Sequence, residues 1–125
     1  MSFILGGAVN TIPTTGTAYN LTTAGTTNAA VIRNAPCSVF EITYSNPTAT
    51  AMYAKFYNKA SAPTVGTDVP VFTLSLPASS QADTLAFGEI GKRFSVGLAI
   101  AVTAGQLDAD VAVASVGGKI SATYL

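Results

Sequence analysis

YAKFYNKASAPTVGTDVPVFTLSLP, residues 53–77, holds two alternating runs on either side of a loop. In the run from Ala51 to Asn58, an extended chain puts Met52, Ala54 and Phe56 on one face. Tyr53, Lys55 and Tyr57 fall on the other. After the Ser, Pro, Gly and Thr residues of 61–67, the run from Val71 to Leu76 alternates again, with Phe72, Leu74 and Leu76 on one side and Thr73 and Ser75 on the other. Pro77 ends it. A period of two on both sides of a Pro/Gly loop indicates strands with one buried face, so the rest of the chain is read for more of them.

They recur outward from this stretch. Ala29 to Arg33 is a short strand stopped by Asn34-Ala35-Pro36. Cys37 to Ser45 alternates, with Phe40, Ile42 and Tyr44 on one face and Val39, Glu41 and Thr43 on the other. Asn46 to Thr50 then reads as the turn of a hairpin whose second arm is Ala51 to Asn58. Thr84 to Phe87 is a short strand after a loop at 78–83. Arg93 to Thr103 reads as one long strand carrying Phe94, Val96, Leu98, Ile100 and Val102 on a single face. Gly97 inside it marks a bulge or a close backbone approach. Val111 to Val116 and Lys119 to Leu125 read as a final hairpin turning at Gly117-Gly118. Helical periodicity is nearly absent. The expectation is an all-β chain, a single antiparallel sandwich over residues 29–125. Residues 1–28, uncharged and rich in Thr, Gly and Ala, form an extended N-terminal arm, with room for one or two short strands, that packs on its own sandwich or reaches a neighbour.

Composition narrows the function. The 125 residues suit one domain. Only 10% are charged, against about 25% in an ordinary soluble domain. Six cations balance six acids. So neutral a surface favours association over life as a free monomer. The first thirteen residues have no cation ahead of their short apolar patch, so no secretion signal is expected, and no apolar run approaches the ~20 residues of a spanning helix. A chain made and kept in the cytoplasm is the expectation.

Catalytic constellations are not found. The chain has no histidine, which removes the commonest general base and a common metal ligand. Cys37, the single cysteine, lacks a base to activate it and reads as a structural thiol. Asp108 and Asp110 share a face if their segment is extended, but two carboxylates fall well short of the six to eight oxygens calcium takes. Neither a metal nor a cofactor is expected. The segment FGEIGKRFSVG fits no phosphate-loop spacing. Tyr53, Lys55, Phe56 and Tyr57 could in principle stack bases, but the six cations are scattered and no basic stretch exists, so nucleic acid is not expected as a partner.

The middle of the chain carries a resemblance. Ser45-Asn46-Pro47, Ala54-Lys55-Phe56-Tyr57-Asn58, Val65-Gly66-Thr67-Asp68-Val69-Pro70, Thr73-Leu74-Ser75-Leu76-Pro77-Ala78 and Phe94-Ser95-Val96-Gly97-Leu98-Ala99-Ile100 follow in this order over roughly residues 38–103. Together they resemble a family of small tailed-bacteriophage virion proteins. The resemblance implies a jelly-roll-like sandwich without enzymatic activity. It implies a capsid cement or decoration protein that bridges major capsid protein junctions on the virion surface and associates with its own copies, as a trimer rather than a dimer. It supplies no functional residues. Two alternatives remain: a tail or head-fibre module recognising the host surface, for which Tyr53 and Tyr57 would be glycan-stacking candidates, or a tail or connector component. The candidate partner contacts are Phe3, Ile4, Leu5 and Ile12 in the arm, Tyr53, Lys55 and Tyr57 on the outer face of their strand, and Tyr124 and Leu125 at the end.

Overall fold

The computed structural model describes residues 16–125. Nine strands are present and no helix occurs among the described residues: β1 (Thr17–Thr22), β2 (Ala30–Arg33), β3 (Cys37–Asn46), β4 (Met52–Asn58), β5 (Phe72–Leu76), β6 (Ser80–Ala86), β7 (Lys92–Phe94), β8 (Leu98–Thr103) and β9 (Lys119–Tyr124). They form two antiparallel sheets. One runs β1-β9-β3-β6, with β7 also on β3; the other runs β2-β8-β4-β5. The pairings are nested. β4 lies on β5, β3 on β6 and β7, β2 on β8, and β1 on β9. The chain thus behaves as one long antiparallel ribbon, folded so that β3 also meets β9 and β4 also meets β8.

The core lies between the sheets. Cys37, Val39, Ile42, Ile120 and Ala122 come from the first sheet, and Met52, Ala54, Phe56, Leu76, Leu98, Ile100 and Val102 from the second. Phe72 stacks on Phe56 at 4.9 Å and meets Phe87 edge-on at 5.7 Å. Each fully buried large side chain contributes about 1.5–3 kcal/mol. The inward faces expected for β4 and β5 are the observed ones.

Five expectations are corrected, each for a physical reason. β3 and β4 do not form a hairpin; the turn at 47–51 carries the chain from one sheet to the other. Buried Asn46 holds that turn. Its amide donates to Thr50 O (2.9 Å) and Leu76 O (3.1 Å), and its Oδ1 accepts from Thr48 N (3.0 Å) and Thr48 Oγ1 (2.7 Å). In β3, the register shifts between Val39 and Glu41, so Val39 and Ile42 both face the core where strict alternation would separate them. The run from Arg93 to Thr103 is two strands in different sheets. Gly97 sits at the break, where the backbones of Lys59, Ala60 and Arg33 pass so closely that an added Cβ would lie 2.7–2.8 Å from them. The expected close approach is therefore real, and the single strand is not. β6 begins earlier than expected, at Ser80. Finally, 111–116 forms only one bridge, Thr103 to Val113, and β9 pairs with β1 and β3 rather than with that segment.

Part of the arm is a strand, as its reading allowed. Residues 17–22 are the edge strand β1, paired with β9 in continuous register from Thr17–Tyr124 to Thr22–Lys119. Thr23 fastens its end: the buried hydroxyl donates to Ser115 O (2.6 Å) and accepts from Gly118 N (2.8 Å). Asn28 closes the turn that follows, through side-chain bonds to both N and O of Ala24. Phe3, Ile4, Leu5 and Ile12 lie outside the described residues.

Candidate functional site

The outer face of β4 was expected to meet a partner; its own chain covers Lys55 and Tyr57 instead. Two segments of the same chain, 59–71 and 104–113, cover it. In register, Lys55 lies beside Ala101 and Tyr57 beside Ala99 of β8. These alanines are small, so a second apolar layer fits above them, made by Tyr57 with Val65 from the first covering segment. β8 is consequently buried on both faces along its whole length.

Lys55 is fully buried. Its Nζ donates to the carbonyl oxygens of Leu107 (2.6 Å) and Asp110 (3.1 Å). The segment is shaped to present them. Asp110 N donates to Leu107 O (3.0 Å), Leu107 N donates to Asp110 Oδ2 (2.8 Å), and Ala104 N donates to Ala112 O (2.9 Å). Thr103 Oγ1 adds a bond to Gly105 O (2.8 Å). The ammonium makes no ion pair within 4 Å among the described residues, and carbonyl dipoles take the place of water around it. Burial pushes its pKa down, and the nearby charges of Asp110 and Asp108 oppose that shift.

Tyr57 is also buried, and its hydroxyl finds no hydrogen-bond partner among the described residues. Burial raises its pKa, and the charges of Asp68 and Asp108 raise it further. The 59–71 segment is held by Asp68, whose carboxylate pairs with Lys59 and accepts from Thr64 N (2.7 Å). Those bonds hold the Asp68 carboxyl below its ordinary value. The two segments touch at Gly66, whose φ of +89° suits glycine; an added Cβ would lie 2.8 Å from Val111 Cγ1.

The candidate contacts therefore separate. Lys55 and Tyr57 are covered by their own chain, which corrects their reading as partner contacts; Tyr53 stays half-buried. Tyr124 packs against the core. Leu125 is exposed, and its backbone exchanges two 3.0 Å bonds with Ser38. Apart from Leu125, the large apolar groups left to solvent are ones the sequence reading did not name as contacts. Several stand on or just after the covering segments: Val69 at 74% exposed, Leu107 at 70%, Val111, Val113 and, three residues further on, Val116; Ile90, at 86%, lies apart in the turn between β6 and β7. One signal pointed toward this arrangement. β8 is apolar on both faces, which demands a second layer on its far side.

Elsewhere the chemistry is sparse. Asp110 is engaged with Leu107 N, and no group of three metal-binding side chains occurs among the described residues. Cys37 is buried; burial raises its pKa, while Arg33 and Arg93 oppose the shift. A shallow groove of about 300 Å³ crosses the outer face of the first sheet, lined by Asn20, Thr22, Thr43, Ser45, Lys119 and Ser121 among others. Comparison with known proteins finds no matching family model, no matching curated protein and no matching solved structure.

Proposed function

We propose that this chain is a non-catalytic structural protein of a virion, a cement or decoration protein that binds across major capsid protein junctions. The observation that carries the reading is the set of exposed apolar side chains on and next to the two covering segments, above all Val69, Leu107 and the neighbouring Val116. Grouped apolar side chains left to water mark surfaces that bind other macromolecules. On a protein with so few charges, such a surface suits a permanent place in an assembly. The nested strand order supports a jelly-roll-like arrangement, an architecture that capsid and lectin domains share. The fibre alternative is less well served, because burial of Tyr57 leaves Tyr53 alone as a stacking platform.

The test is co-expression with the major capsid protein of the same genome, followed by purification of shells and measurement of band stoichiometry. Many copies per shell, lost on Leu107→Asp with Val116→Asp, is the expected result. Shells that never carry the chain would overturn the proposal, and a few copies per complete particle would favour the fibre reading.

A further inference from the structure

We infer that the outer edge of β1 is a self-pairing surface, through which two copies of this chain join their first sheets about a two-fold axis. The inference is independent of the virion reading. It starts from how each sheet edge is protected. Natural edges are blunted by charge, proline or bulges, because unpaired N–H and C=O groups template strand addition. β2 carries a bulge between Val31 and Arg33 and closes on that arginine. β5 is bounded by Pro70 and Pro77, and the Asn46 amide occupies its Leu76 carbonyl. β6 carries Asp83 and a register shift against β3, and β7 is led by Lys92 and Arg93. β1, TAYNLT, has none of these devices. It is uncharged, free of proline and paired to β9 without a shift over six residues, and nothing among the described residues pairs with its outer side.

The partner that fits is a second β1. Tyr19 and Leu21 face the core, while Ala18, Asn20 and Thr22 face solvent. A continuous sheet must keep those faces, because a one-residue slip would turn the core side chains outward. The two-fold axis must therefore pass through a residue, not between two, and near the middle of the strand that residue is Tyr19 or Asn20. With the axis at Tyr19, Ala18 lies opposite Asn20 of the second copy and the two tyrosines meet. With the axis at Asn20, the two Asn20 amides meet and Tyr19 lies opposite Leu21. Each register places uncharged, compatible groups in every cross-strand pair. A five-residue edge buries less than a standard interface of ~1,200 Å² or more, so the contact belongs to the weak class that local concentration strengthens.

The full chain is tested by sedimentation equilibrium from about 1 µM to about 1 mM. Concentration-dependent dimers are expected. The double variant Ala18→Lys/Asn20→Lys places like charges opposite each other in both registers and weakens the dimer at least about tenfold. Both positions are exposed, so its melting temperature stays close to that of the parent chain. Mixing it with Ala18→Glu/Asn20→Glu restores association. A monomer at every concentration would overturn the inference. So would dimers that the lysine variant leaves unchanged, since these form through another surface.

Discussion

Replacing Lys55 tests whether its buried ammonium adds stability or only fixes the loop above it. Two substitutions separate the terms. Lys55→Met keeps most of the apolar stem and removes the charge with its two bonds to Leu107 O and Asp110 O. Hydrogen bonds from a charged donor contribute about 1.5–3 kcal/mol each. Against them stands the desolvation of a buried ammonium, a cost of several kcal/mol. These terms nearly cancel, and the freed carbonyls sit in a segment with exposed Leu107, within reach of water. Lys55→Met therefore changes unfolding free energy by less than about 1.5 kcal/mol. Lys55→Ala also removes three buried methylenes, at about 0.8 kcal/mol each, and falls about 2–3 kcal/mol below Lys55→Met.

Urea unfolding measures both values, and amide exchange reads the loop. In Lys55→Met, the Leu107 and Asp110 amides lose protection while those of β8 keep theirs. The pH dependence gives a separate check. Burial lowers the folded-state pKa of Lys55, so between that value and the ordinary lysine value the unfolded chain binds the extra proton. Stability contributed by this group therefore rises as pH climbs through that window, and falls again on the way down. The gap between the parent chain and Lys55→Met should shift in favour of the parent at alkaline pH. Lys55→Met as damaging as Lys55→Ala, or a gap independent of pH, would refute the reasoning.

Two more outcomes follow from buried polar groups. Tyr57→Phe removes a hydroxyl that has no partner among the described residues, so unfolding free energy stays level or rises by about 1 kcal/mol; a clear loss on urea titration would mean that the hydroxyl is bonded. Asn46→Ala strips partners from Thr48 N, Thr50 O and Leu76 O at once and costs about 2–4 kcal/mol, read from the same titration, with a loss under 0.5 kcal/mol counting against its role in fastening the turn.

The strands themselves were legible because one face of each packs on a common core. Met52, Ala54 and Phe56 alternate with residues of a different kind, and that pattern survives folding intact. Which strands pair was less legible, because pairing is decided by contacts far apart in the chain. Asn46 resembles any turn residue until Leu76, thirty positions on, supplies its carbonyl. Ser80–Ala86 lies at an edge with most of its side chains in solvent, so it carries no apolar alternation to read. Val111–Val116 has β-branched residues but gains only a single bridge, and strand propensity without a partner does not make a strand. Lys55 misled most. A lysine on an outer face ordinarily meets water, and only the carbonyls of a loop fifty residues away show otherwise.

The nested pairing also governs the route to the folded state. β4 and β5 join residues about twenty apart, whereas Thr17 and Tyr124 stand at opposite ends of the described chain. Bringing distant segments together in one step carries a large entropic penalty, and topologies dominated by such contacts fold in milliseconds to seconds rather than microseconds. A nested ribbon spreads that penalty, since each pair already formed shortens the loop that the next must close. β1 and β9, outermost in the series, benefit from every earlier closure. The last strand to find its place is then the one whose far edge is left unblunted.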